Sequence, residues 1–261
     1  MTKRRVEEIL EELNYFEHFR NNYLSRTYKI NYGKRKGELN INGFFDAIEK
    51  FKDYDEIYDE TILEWENVLN DDNSDDTDLL ITCLEIFEWG NVHSGNTKRV
   101  IEYYKKNELK QKISRVRDLL KLNRIIENEG VINWSSGWTK VYSFINSEII
   151  IYDSRVSSFI NHTLTHKSKL NNEQQKHIKE LAKYLFNFRG NTDRERLIDN
   201  SWGFINIHPS GIDGFNANIV SSWIIQLINE KLGLNKSIRD LERAFFMLGF
   251  DLKQIKEISD K

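Results

Sequence analysis

Apolar residues recur at helical spacing over most of the chain. Val6, Ile9, Leu10, Leu13, Phe16 and Phe19 predict a helix within residues 2–24. Residues 26–42 change period: Tyr28-Lys29-Ile30-Asn31-Tyr32 alternates, residues 33–37 can turn, and residues 38–42 alternate again, which predicts a small β-hairpin. Helical spacing returns over 43–69 with Phe44, Phe45, Ile48, Phe51, Ile57, Ile62, Trp65 and Leu69. The polar run NDDNSDDT (70–77) reads as a loop and helix cap, and a helix over 79–89 is expected to stop at Gly90 in a left-handed turn. Val100, Ile101, Tyr104, Ile113, Val116 and Leu120 carry the helical pattern over 97–124. Asp153 stands where a helix over 154–165 should begin, and amphipathic or closing helices follow at 170–188, 216–232 and 237–248. Between them, residues 189–213 are loop-rich, with Trp202, Gly203, His208 and Pro209. With a single proline in the chain, the pattern predicts a mainly α fold: a two-lobed helical bundle with a small N-terminal β-hairpin. Residues 1–261 read as one compact unit, in an N-terminal portion (1–78), a core (79–188) and a closing portion (189–261).

Charge changes the picture locally. The formal net charge of −3 over 261 residues gives no global basic signal, so any nucleic-acid binding must rest on a local patch. Residues 46–78 hold 14 acids against two lysines, a solvated face that should point away from phosphates. Residues 97–124 hold ten Lys or Arg against three acids, on helix faces expected to be exposed. That stretch is the chain's best electrostatic footprint for nucleic acid, and equally a solvated helix pair. The one cysteine, Cys83, excludes a disulfide framework and a multi-cysteine metal site, and its apolar setting makes it a small core residue. His162 and His166 stand i, i+4 but lack a third ligand at metal spacing, so they read as a surface pair. His93 likewise has no second ligand nearby in sequence, and no metal or other cofactor is expected. No run of 18 apolar residues exists and the N-terminus lacks a signal-peptide core, so a cytoplasmic or nucleoid location is expected.

Candidate chemistry concentrates at residues 134–156, WSSGWTKVYSFINSEIIIYDSRV. A glycine in Ser135-Ser136-Gly137 reads as a sharp turn whose backbone N–H groups can approach a phosphate. An Asp at a helix start is held by the N–H groups of the next turn, where the helix dipole favours negative charge. The combination could grip a DNA backbone and aim one carboxylate at it. An ordinary helix–turn–helix core element with a normal N-cap fits the same pattern.

The stretch also resembles the helix-hairpin-helix DNA glycosylase superfamily, the base-excision enzymes with a Gly-Pro-Asp signature. Ser136-Gly137-Trp138-Thr139-Lys140-Val141-Tyr142 is similar to the GxWTAxY half of the alkyladenine-branch hairpin, and Ile151-Tyr152-Asp153-Ser154-Arg155-Val156 to the VDTHV context of the catalytic Asp. Serines replace the first hairpin glycine and the proline, the glycine-to-Asp spacing is shorter, and no iron–sulfur cysteines follow. The resemblance implies a glycosylase that flips and excises a damaged or modified base from double-stranded DNA, acting as a monomer without a cofactor. It implies Asp153 as the catalytic carboxylate. It assigns DNA contact to Ser135, Ser136, Gly137, Thr139 and Lys140, joined by Lys98, Arg99 and Arg155, and a wedge for the vacated stack to Asn91, Val92 or His93. By residue type, Trp89, Trp138, Tyr152 and Trp202 are candidates to stack on a flipped base. The lyase branch carries a lysine where Trp138 stands, and Lys140 lies about 200° further round the helix, so no strand-cutting lyase activity is expected. Repair and excision of a modified base from foreign DNA both remain open. So do two other classes: a helix-hairpin-helix nucleic-acid-binding protein without catalysis, and a helical protein-interaction module.

Overall fold

Six of the described helices start where a side-chain oxygen meets the unpaired N–H groups of a first turn. Thr2, Asp75, Ser135, Asp153, Asn171 and Ser237 each cap a helix in this way. Asp75 forms a reciprocal capping box with Asp78, and Asn171 one with Gln174. The computed structural model describes residues 1–32, 37–52, 59–127, 133–166, 170–188, 194–206 and 211–256. In chain order it runs α1 (Lys3–Glu12), α2 (Tyr15–Phe19), a π-helical turn (Arg20–Leu24), β1 (Thr27–Asn31), β2 (Glu38–Asn42), α3 (Phe44–Lys52) and α4 (Asp59–Asn70). Then follow α5 (Asp76–Trp89), α6 (Ser94–Lys105), α7 (Leu109–Leu119), α8 (Ser136–Ile145), α9 (Ser154–Thr165) and α10 (Asn172–Ala182). A 3-10 turn (Asn200–Trp202), α11 (Gly211–Leu232), α12 (Ile238–Leu248) and α13 (Leu252–Lys256) complete it. The fold is mainly α with one antiparallel hairpin, β1 against β2, in the register Thr27–Asn42 to Asn31–Glu38. No helix among the described residues is long and apolar enough to cross a membrane.

The chain divides into two compact units. The first comprises residues 1–56, 153–208 and 220–261. Its core is aromatic: Phe19 stacks on Phe245 at 5.9 Å, and Phe159 meets Phe245 edge-on at 5.1 Å. α12 packs on α9 and α3. Polar pins cross this core. The Tyr15 and Thr163 hydroxyls lie 2.7 Å apart, and the Asn161 amide donates to the Phe186 carbonyl at 2.8 Å. Asn187 pairs both ways with the backbone of Ile198, tying the segment after α10 to the one that follows it.

The second unit comprises residues 57–152 and 209–219. α5 is its spine, in contact with α4, α6, α7 and α8. Trp65, Trp89 and Phe144 form one aromatic contact group and Phe87, Trp138 and Tyr142 another. Cys83 is fully buried here, and burial pushes its thiol up to about 12. Asn216 exchanges two hydrogen bonds with the backbone of Ile126.

Several expectations need correction. The first helical stretch breaks after Leu13, because Asn14 adopts a left-handed conformation (φ 50°) and redirects the chain into α2. The basic stretch does form a helix pair, α6 and α7, divided at Asn107 (φ 55°). Gly90 is right-handed (φ −74°); the left-handed stop after α5 is Asn91 (φ 49°). His162 is buried rather than on the surface, and its ring stacks on His166 at 4.6 Å. No group of metal ligands exists among the described residues. The expected turn at 33–37 lies outside the described residues except for Gly37, and so do His208 and Pro209.

Candidate functional site

In the second unit, the start of α8 is built by a small knot of side chains. Ser135 accepts from the Trp138 N–H at 3.1 Å and donates its hydroxyl to Asn96 Oδ1 at 2.7 Å. Asn96 in turn donates to the Val92 carbonyl at 2.7 Å. One asparagine therefore links the loop after α5 to the cap of α8. Gly137 sits directly beneath it. A Cβ there would lie 2.8 Å from Asn96 Cγ and 3.2 Å from Val92 Cγ2, so any larger residue would have to displace Asn96. The expected sharp turn is absent: Gly137 is inside the first turn of α8 and buried. Thr139 is buried too, its hydroxyl bonded to the Ser136 carbonyl at 3.2 Å, while Ser136 is exposed.

The basic residues of this unit divide in two. Arg99 donates to Asn133 Oδ1 at 2.8 Å, and the Asn133 amide donates to the Tyr103 hydroxyl. Tyr142 donates to the Asn133 carbonyl, so α6 is tied to the segment leading into α8. Lys98 is open to solvent, with its side chain 82% exposed. Arg117 instead pairs with Asp72 at 2.5 Å and Lys110 donates to the Asp72 carbonyl at 2.6 Å. The acidic loop thus folds onto α7. Lys140 lays its stem over Gly90, where a Cβ would meet Cδ at 2.5 Å, and its ammonium lies 5.8 Å from the Trp89 ring. Of the wedge candidates, Asn91 and His93 are exposed and Val92 half-buried, and His93 Nδ1 lies 3.3 Å from a Glu88 carboxylate oxygen.

In the first unit, Asp153 caps α9. Its Oδ1 accepts from the Arg155 N–H at 2.8 Å and the Val156 N–H at 3.0 Å. The residue is half-buried, and among the described residues its Oδ2 receives no hydrogen bond and it forms no ion pair. Two features missed in sequence hold this helix start in place. Gly249, at the end of α12, sits against the Arg155 carbonyl: a Cβ would fall 2.6 Å from the carbonyl carbon and closer still to its oxygen. Arg196 donates to the Ser154 hydroxyl at 2.6 Å and to the Phe250 carbonyl at 3.2 Å. Neither contact has a sequence signal, because each joins segments far apart in the chain. Arg155 places its guanidinium over Phe246 (4.1 Å) and Phe250 (4.9 Å).

The stacking candidates fare unequally. Trp138 and Tyr152 are core residues, 3% and 0% exposed, with no face to offer a base. Trp89 and Trp202 are half-buried. The structure thus groups Trp89, the 91–93 loop, Ser135, Gly137 and Lys140 in the second unit, and Asp153, Arg155 and Trp202 in the first. Comparison with protein-family models, curated proteins and solved structures finds no match to this chain.

Proposed function

We propose that this protein is a monofunctional DNA glycosylase, a hydrolase that extrudes a damaged or modified base from duplex DNA and breaks its N-glycosidic bond. The observation that carries the reading is the carboxylate of Asp153, in a sequence context similar to that of the glycosylase aspartate. One oxygen is fixed by two backbone N–H groups and the other is uncommitted among the described residues. Breaking the bond leaves positive charge on the deoxyribose. A carboxylate held in a set direction beside that sugar stabilises the charge and orients the attacking water. The base takes the bonding electrons and is protonated as it leaves, and water adds to the sugar carbon. Extrusion costs a few kcal/mol, which backbone contacts at the start of α8 and an inserted residue from the 91–93 loop would offset.

Lys140 supports the absence of lyase activity: its stem is committed to Gly90 and its ammonium lies over Trp89. Borohydride treatment during turnover should trap no covalent DNA adduct, and an adduct lost in Lys140→Ala would overturn this part of the reading.

A nucleic-acid-binding protein without chemistry is the second reading. It is favoured by the burial of Trp138 and Tyr152, which removes two of the four stacking candidates. An abasic-site assay on randomly modified duplex DNA separates the two. The glycosylase reading expects abasic sites with the wild-type chain and a loss of about 100-fold or more with Asp153→Asn. Salt-dependent binding with no abasic sites from either protein would establish the second reading instead.

A further inference from the structure

Asp153 is aimed by the first turn of α9, and one residue from a distant segment grips that turn twice. Arg196 donates from its guanidinium to the Ser154 hydroxyl at 2.6 Å, and its own carbonyl accepts from the Ser158 hydroxyl at 3.0 Å. Ser158 is buried and also donates to the Ser154 carbonyl at 2.5 Å. Ser154 is therefore tied to Arg196 directly through its side chain and, by way of Ser158, through its carbonyl. It stands between Asp153 and Arg155, whose N–H with that of Val156 fixes Asp153 Oδ1. A shift in the backbone of Ser154 carries both N–H groups, and the carboxylate, with it.

Arg196 is itself held in place. Its Nε–H donates to the Phe250 carbonyl at 3.2 Å, next to Gly249, which lies against the Arg155 carbonyl. Two residues on, Ile198 exchanges hydrogen bonds with Asn187 at 2.9 and 2.7 Å. A planar guanidinium spans a hydroxyl and a carbonyl in one fixed geometry, which a flexible ammonium does not reproduce. The charge has a cost here. Arg196 is half-buried, and burial lowers its basicity; the charges of Arg155 and Arg194 add to the shift, and those of Asp153 and Asp251 oppose it. A well-packed apolar side chain would carry no such desolvation cost. What the arginine adds is direction.

We propose that Arg196 is a positioning residue for Asp153, acting through Ser154 and Ser158 as a clamp on the first turn of α9. Its service to bond cleavage rests on the glycosylase reading; the clamp itself does not. The full chain is compared as wild type, Arg196→Met, Arg196→Lys and Ser154→Ala, with melting temperatures as fold controls. Ser154→Ala removes only the hydroxyl that Arg196 grips, so it tests the clamp even where Arg196→Met fails to fold. Amide hydrogen exchange at Arg155 and Val156 reads the clamp without activity. Arg196→Met and Ser154→Ala should speed it about tenfold while the amides of α10 keep their rates, and Arg196→Lys should fall between.

Single-turnover base release should drop about tenfold to 100-fold in Arg196→Met. Affinity for the same duplex should stay within about twofold of wild type, since the clamp directs a carboxylate and does not hold DNA. In an Asp153→Asn background, Arg196→Met should cost nothing further. Unchanged exchange at both amides would overturn the clamp. Faster exchange with base release unchanged, or an equal loss of release with and without the Asp153 carboxylate, would overturn the positioning role. If no protein, wild type included, releases base while exchange responds as expected, the glycosylase reading fails and the clamp on Asp153 stands.

Discussion

At the scale of single residues, two glycines are fixed by what lies against them. Gly249 meets a backbone carbonyl, which cannot rotate away. Gly249→Ala should therefore cost about 3 kcal/mol, at the upper end of overpacking, and should shift the start of α9 and the Asp153 carboxylate with it. Stability in chemical denaturation and the base release proposed for Asp153 should fall together. Gly137 meets the amide of Asn96, a side chain that can be removed. Gly137→Ala alone should destabilise by about 1–2 kcal/mol, since displacing Asn96 forfeits its bonds to Val92 and Ser135. Combined with Asn96→Ala, the severe part of the clash disappears, leaving the 3.2 Å approach to Val92 Cγ2, and the helix propensity of alanine recovers part of the loss, up to about 1 kcal/mol. A double-mutant cycle in urea reads this directly, and additive losses would show that Asn96 is not what the new methyl meets. Cys83 gives a simpler check. A thiol buried and raised to about 12 should not react with an aromatic disulfide reagent at pH 8 in the native protein, and should titrate fully in denaturant.

At the scale of elements, legibility followed how local the cause is. α9 was readable to the residue, because Asp153 and the apolar spacing that follows lie next to each other in the chain. α12 was readable for the same reason, from Ser237 onward. The asparagines were not: Asn14, Asn91 and Asn107 adopt positive φ and end or redirect helices, yet in sequence Asn14 and Asn107 look like any polar helix-surface residue and the stop that Asn91 makes reads as belonging to Gly90. The role of Gly137 was misread because a glycine in a helix's first turn and one in a sharp turn have the same letter, and only Asn96 distinguishes them. Arg194 and Arg196 carried no signal, since they acquire meaning only beside Ser154 and Phe250.

The pairing of α1 with α10 offers an element-scale test. Glu180 receives two hydrogen bonds from Arg5, which hold its carboxyl below the usual glutamate range. A lowered folded-state pKa contributes stability that is present above the unfolded value and lost as pH falls through the folded one. Both side chains are more than a third exposed in part, 35% and 38%, so solvent screening limits the contribution to about 0.5–1 kcal/mol. Wild type should exceed Glu180→Gln by that margin at neutral pH. The two should converge in acid below the depressed value, and a difference that persists there would place its origin in packing.

At the scale of the molecule, the chain passes between its two units after Tyr152, so the start of α8 belongs to one and Asp153 to the other. The fold class was legible because the hydrophobic period is helical almost throughout, broken only by the alternation around β1 and β2. The division into units was not, since the second takes residues 209–219 from far along the chain. On the glycosylase proposal, base specificity would belong to this scale as well, because it would depend on donors brought together from distant segments.

The central claim is that the Asp153 carboxylate supports cleavage of an N-glycosidic bond. Its most direct measurement is release of free base, detected by mass spectrometry, from duplex DNA carrying a mixture of modified bases. Wild type should liberate at least one base and leave intact abasic strands, and Asp153→Asn should still bind the same DNA while releasing about 100-fold less or none. Equal release by the two proteins, or none by either on DNA that both bind, would contradict the account.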